Sequence, residues 1–174
     1  MLNQQLLKLN LLHCFFHKHG HLNKKERTLD IFLYQVLNQL IDLVLDIEKY
    51  PEFVPFCLDA HVYEKKSDGD LVLIIADLTI GKGPFKDTYK SDVKFNKKDN
   101  TINVTNIGGP LNHLKNTWHF EEQDKGTEIS FDIDFEIENK FLNIVMTKSF
   151  QFGLDKIADA FQKRAEKLFD NSKN

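Results

Sequence analysis

"EISFDIDFEIENKFLNIVMTKSF", Glu128 to Phe150, changes its hydrophobic period midway, and that change decides the fold. Up to Glu138 the alternation is strict. Ile129, Phe131, Ile133, Phe135 and Ile137 take one side; Glu128, Ser130, Asp132, Asp134, Glu136 and Glu138 take the other. Period two describes a strand with one buried and one wet face. From about Lys140 the spacing becomes i, i+3/i+4, through Met146, Phe150, Gly153, Leu154, Ile157, Phe161, Ala165 and Leu168. These residues predict a helix of roughly eight turns, ending near Phe169. Its apolar stripe needs a cover, and the inner face of a sheet is the large apolar surface at hand.

Upstream, the turn signals "KSDGD" (66–70), "GKGP" (81–84), "NKKDN" (96–100), "IGGP" (107–110) and "EQDKG" (122–126) divide the chain into short β segments. Residues 82–95 alternate as well. Lys82, Lys86, Lys90 and Lys94 share one side, and Phe85, Tyr89, Val93 and Phe95 the other, together with Asp87 and Ser91. Residues 26–33 read as a first strand. Leu33, Val36, Leu37, Leu40, Val44 and Ile47 then recur at helical spacing, and Pro51 is expected to stop that helix. The expectation is an α+β fold: a curved antiparallel sheet wrapped around a long C-terminal helix, with small helices after the first strand.

The 174 residues, 41% hydrophobic and 28% charged, suit one globular domain. Fifteen phenylalanines in the chain, against one tryptophan and four tyrosines, favour a large apolar interior. A net charge of −3, with Arg27 and Arg164 the only arginines among 23 basic residues, argues against DNA as a partner. Cys14 and Cys57 are the only cysteines, which suits a reducing compartment. The apolar run Ile31 to Ile47 contains Gln35, Asn38, Gln39, Asp42 and Asp46, too many polar groups for a membrane span.

Residues 1–25 read as a variable, unstructured extension, and 26–170 as the domain. The extension holds His13, Cys14, His17, His19 and His21, but a glycine and no rigid framework argue against a tetrahedral metal site. No metal is expected. No phosphate-cradling glycine loop or Ser–His–Asp signature is present, so no catalytic residue is assigned.

Several blocks together resemble the coenzyme Q-binding START-like family, a branch of the polyketide cyclase/dehydrase group that includes the bacterial ribosome-association toxin RatA. They are "LVLDIEKYPEFVPFC" (43–57), "ADLTIGKGPFKDTYKSDV" (76–93), "IGGPLNHLKNTWHFE" (107–121), "ISFDIDFEIENKFL" (129–142) and "DAFQKRAEKLF" (159–169). The chain departs from the family at "LYQVLNQ" (33–39), at Phe56 where tryptophan is usual, and at Lys82 where an apolar residue is usual.

The resemblance implies a helix-grip fold and a hydrophobic tunnel for ubiquinone or a similar lipid, serving respiration without catalysis. Leu78, Phe85, Asp87, Tyr89, Ser91, Trp118, Phe131, Phe135, Met146 and Phe150 are the expected lining. Pro51 and Pro55 are expected to stiffen a lid that carries Phe53, Val54 and Phe56, at a tunnel mouth or a membrane surface. Asp87 and Ser91 are the sharper lining candidates, because a polar group facing inward needs a partner.

The alternative is a RatA-type toxin that binds the large ribosomal subunit, through Lys82, Lys86, Lys90 and Lys94. The plainer account of that stripe is pairing with the acidic outer face of 128–138. An enzyme comes third, with His61, Asp77, Asp87 and His119 as acid–base candidates; His119 shares the solvent side with Thr117 and Glu121. Cys57 is expected to be a small buried apolar residue. The expected compartment is the bacterial cytoplasm, in contact with a membrane, or else the matrix side of the mitochondrial inner membrane.

Overall fold

In the computed structural model the alternating segments pair into seven antiparallel strands. The backbone is described at residues 26–33, 36–82, 85–124, 126–137 and 140–169, and side chains at 33, 36–81, 86–124, 126–136 and 155–169. The strands are β1 (Glu26–Leu33), β2 (Cys57–Asp68), β3 (Leu71–Lys82), β4 (Phe85–Asn96), β5 (Thr101–Gly108), β6 (Leu111–Gln123) and β7 (Gly126–Ile137). Helix α1 (Leu37–Leu45) and a 3-10 turn (Ile47–Glu52) follow β1, and helix α2 (Lys140–Phe169) closes the chain.

The sheet order is β1-β7-β6-β5-β4-β3-β2, so only β1 departs from sequence neighbours by pairing with β7. Register aligns the apolar residues in rows across the sheet. Val72, Phe95, Ile102, Trp118, Phe131 and Leu29 form one such row, and Ile74, Val93 and Val104 begin the next. Because the side-chain period is two, every described member of these rows faces α2. Ile74, Ile102 and Phe120 are almost wholly buried.

Positive-φ residues turn three of the hairpins: Gly69, Asn100 at φ +51 between β4 and β5, and Gly109. Gly69, at φ +58, turns β2 into β3 with open space around it. Gly109, at φ +107, lies against β4: a Cβ there would stand 2.7 Å from the Thr88 carbonyl oxygen and 2.8 Å from Tyr89 Cα. Only glycine permits that approach.

The first helix differs from its expected form. Leu33 ends β1, α1 stops at Leu45, and Pro51 lies inside the 3-10 turn instead of terminating an α-helix. The break serves packing. The Tyr50 hydroxyl turns back to donate to the Val44 carbonyl at 2.5 Å, one of the acceptors a helix end leaves open. Tyr50 and Phe53 then meet Phe161 of α2 edge-to-face, at 5.4 and 5.1 Å between ring centres. Phe161 also touches Trp118 at 5.4 Å, and Trp118 lies 4.4 Å from Phe131. This aromatic contact, with buried Ala158 and Ala165 beside it, fixes the second half of α2 on the sheet.

Candidate functional site

The concave face between the sheet and α2 is apolar except for a few polar side chains. On β4, strand parity turns Tyr89, Ser91, Val93 and Phe95 inward, as their burial records. Ser91 is 1% exposed and its Oγ has no hydrogen-bond partner among the described residues. On β6 the inward residues are Leu114, Asn116, Trp118 and Phe120. Asn116 Oδ1 is buried and equally without a partner among the described residues. A buried polar atom left so costs free energy unless something meets it.

Tyr89, across from Leu78, has its phenol pushed well above the ordinary range, mostly by burial and then by the nearby Cys57. Tyr50 is raised for the same first reason, with Tyr89, Cys57 and Asp46 adding to it. Burial pushes the Cys57 thiol up to about 11, against a smaller lowering by a backbone hydrogen bond at Asp59; as a neutral thiol its Sγ donates weakly to the Asp59 carbonyl at 3.6 Å. All three stay neutral near pH 7, and none is a ready base or nucleophile.

The expected lining is distributed unevenly. Leu78, Tyr89, Ser91, Trp118, Phe131 and Phe135 lie on the concave face, with Trp118 and Phe131 in the aromatic contact under α2. Asp87 shares their parity but is exposed, because it sits near the open end of β4, opposite Ile80, where water still solvates the carboxylate. The side chains of Phe85, Met146, Phe150 and Lys82 lie outside the described residues.

The proline segment is anchored. Phe53 is held by Tyr50 and Phe161, with the Arg164 guanidinium 5.3 Å from its ring centre. Arg164 Nη2 also donates to Glu52 Oε2 at 2.8 Å, clasping the segment to α2. Phe56 alone projects: it is 43% exposed, at φ +66, and its carbonyl accepts from the Gly81 amide at 2.9 Å.

On the outer face, β4 and β7 are separated by β5 and β6, so the lysine stripe does not meet the acids of β7. Its partners are local. Lys94 pairs with Asp92 at 2.8 Å, and Lys90 lies 4.0 Å from Asp77 and 4.4 Å from the Tyr63 ring centre. Lys86 is exposed. Tyr63 donates to Asp77 at 2.8 Å, which raises the Tyr63 phenol.

The four acid–base candidates do not converge. His61 and Asp77 face each other across β2 and β3, Asp77 on the outer face with Tyr63 and Lys90. His119 is exposed beside Thr101, and Asp87 is exposed on β4. No group of three or more potential metal ligands occurs among the described residues, and the histidines of 1–25 lie outside them. No described helix is long and apolar enough to cross a membrane.

Asn116 was missed by sequence reasoning. The signal was present: in "LKNTWHF" (114–120) Asn116 falls in phase with Leu114, Trp118 and Phe120.

Residues 37–162 match the family described as "Polyketide cyclase / dehydrase and lipid transport". A relative from Rickettsia prowazekii, named "Ribosome association toxin RatA", is 32% identical over 133 residues, covering 75% of this chain and 88% of its own. A relative from Dictyostelium discoideum, named "Coenzyme Q-binding protein COQ10, mitochondrial", is 31% identical over 139 residues, covering 78% and 66%. Among solved structures, a START superfamily protein from Mycobacterium smegmatis has a TM-score of 0.68 at 16% identity, covering 82% of this chain and 98% of its own. An aromatase/cyclase from Streptomyces reaches 0.73 at 11%, covering 87% and 99%, a likeness of fold alone.

Proposed function

Because the chain belongs to the polyketide cyclase/dehydrase and lipid-transport family, we propose that its interior binds a hydrophobic ligand with a compact polar head, a para-quinone of the ubiquinone type, and does not transform it. The observation that carries this reading is the pair of buried oxygens, Ser91 Oγ and Asn116 Oδ1, unpartnered among the described residues of an otherwise apolar face. An interior of this composition suits a ligand that is mostly apolar and carries a few polar atoms. The relative named for coenzyme Q binding supports the choice of head group. The neutral state of Tyr50, Cys57 and Tyr89 supports a carrier over a catalyst.

The test is direct. Protein purified without detergent is extracted with organic solvent, and the extract is analysed by absorbance and mass spectrometry. Near-stoichiometric quinone is the expected result. An empty extract from protein that also takes up no added quinone refutes the reading.

A second reading rests on the relative named as a ribosome association toxin. Here the outer face of β4 would meet the large ribosomal subunit through Lys86, Lys90 and Lys94, with Lys82 at the strand end. Local carboxylates already occupy Lys90 and Lys94, which weakens it. Co-sedimentation with ribosomes that is lost in Lys86→Glu would favour this reading over the first.

A further inference from the structure

Exposure of the concave face changes from one end of the sheet to the other. Along β3, Val72, Ile74 and Ala76 are buried, whereas Leu78 and Ile80 are half-buried. Their cross-strand partners on β4 follow in step: Phe95, Val93 and Ser91 are buried, Tyr89 is half-buried and Asp87 is exposed. The sheet is therefore sealed at the hairpins around 69 and 98, and least covered where β3 turns into β4 and β5 into β6.

Apolar side chains gather at that less covered end. The Phe56 carbonyl accepts from the Gly81 amide, and Cys57 is aligned with Ile80. Phe56 and Leu58, on either side of buried Cys57, are 43% and 49% exposed. Leu58 is the extra residue of a β-bulge between Cys57 and Asp59. Phe56 stands at φ +66, which strains a bulky residue. Strain of this kind persists only where the surrounding structure imposes it, and here it holds an aromatic ring at the surface instead of in the core.

Charge divides the two ends as well. At the sealed end the turns 66–70, 96–100 and 122–126 carry five carboxylates against four lysines. At the open end, residues 53–58, 81–86 and 107–112 carry Lys82 and Lys86 and no carboxylate. Glu138 and Lys140, where β7 passes into α2, cancel. Lys86 is exposed and aligned with Gly81. Asp59 and Asp87 lie just beyond, so the positive excess is small and apolar contact leads.

From this arrangement we infer that the open end of the sheet docks on a lipid bilayer. Phe56 and Leu58 enter the boundary of the acyl chains, and the lysine-bearing turn between β3 and β4 lies against the headgroups. The inference rests on the hydrophobic-ligand reading of the same interior: a ligand of that kind dissolves in the bilayer, and the least covered end of its site is the end that faces it.

The test is flotation of the full chain with phosphatidylcholine vesicles, with and without phosphatidylglycerol. Wild-type protein is expected to float with both, and more with phosphatidylglycerol. Moving the exposed half of either side chain into the acyl boundary corresponds to about three- to tenfold in partitioning, which is the loss expected of Phe56→Asn and of Leu58→Asn. Leu71, 40% exposed but about 30 Å away at the other end of β3, is the control, and Leu71→Asn is expected to change nothing. Lys86→Gln is expected to lower binding about fivefold on the anionic vesicles alone.

Brominated lipid reads insertion directly, because it quenches a tryptophan at its own depth. Phe56→Trp is expected to be quenched and Leu71→Trp not, each against the Trp118 background. Circular dichroism identifies a variant that fails to fold, and wild-type flotation stands without any substitution. Wild-type protein that floats with neither vesicle overturns the inference, as do equal quenching at the two positions and equal losses in Phe56→Asn and Leu71→Asn. Protein that carries a ligand yet does not float overturns the docking alone. Protein that floats but neither carries nor takes up a hydrophobic ligand overturns the ligand reading alone.

Discussion

Replacing Phe161 by alanine tests whether the aromatic contact holds α2 on the sheet. The ring is 5% exposed and has Phe53, Tyr50 and Trp118 at 5.1, 5.4 and 5.4 Å. A core Phe→Ala change costs about 3–5 kcal/mol, and more where neighbours cannot collapse into the space. Three rigid rings with few rotamers collapse poorly, which places the expected loss near the top of that range, about 4 kcal/mol or more. For a domain of this size that corresponds to a fall in Tm of about 8–16 °C. A total stability of about 5–15 kcal/mol leaves the variant largely folded at room temperature.

Urea and thermal unfolding, followed by circular dichroism and by Trp118 fluorescence, give the number. Phe161→Leu keeps most of the volume and is expected to cost under about 1.5 kcal/mol. A loss below about 1 kcal/mol for Phe161→Ala, or equal losses for the two variants, would refute the packing argument.

Gly109→Ala is expected to cost about 1–3 kcal/mol from the positive φ alone, before its Cβ meets the Thr88 carbonyl; a neutral result in urea unfolding contradicts the close approach. Cys57, with its thiol near 11, should react with iodoacetamide at pH 8 about a hundredfold more slowly in native protein than in urea, read on its own peptide by mass spectrometry. Because folding raises that pKa, the stability it contributes is present below the ordinary thiol range and is lost as pH rises through about 11. Glu52 is the opposite case. Lys49 first, and then Arg164, lower its pKa, so its contribution is present above the ordinary glutamate range and lost as pH falls through the lowered native value. Glu52→Gln should flatten that acid limb of a stability–pH profile, and an unchanged limb counts against the clasp.

The fold was legible because its decisive signals are local. The alternation of β7 and the lysine-marked alternation of β4 are each visible within a dozen or so residues, and the helical stripe of α2 is continuous from Met146 to Leu168. The site was legible only where parity and burial agree. Ser91 and Tyr89 follow their strand inward, but Asp87 has the same parity and stays wet, since depth below the sheet end is not written in alternation. Phe53 reads as a lid residue until Phe161 arrives from the far end of the chain to hold it. The lysine stripe reads as a partner for the acids of β7 until strand order puts two strands between them. These failures share a cause: each depends on which distant element comes next to which.

Trp118 is the only tryptophan, and it lies on the concave face one inward position from Asn116. Its fluorescence therefore reports on that interior alone. Titration with a short-tailed benzoquinone is the most direct test of a ligand-binding interior. The account predicts saturable quenching with one-to-one stoichiometry, competed by an excess of a non-quenching lipid. Quenching that rises linearly with concentration, equal to that of the urea-unfolded chain, would contradict it.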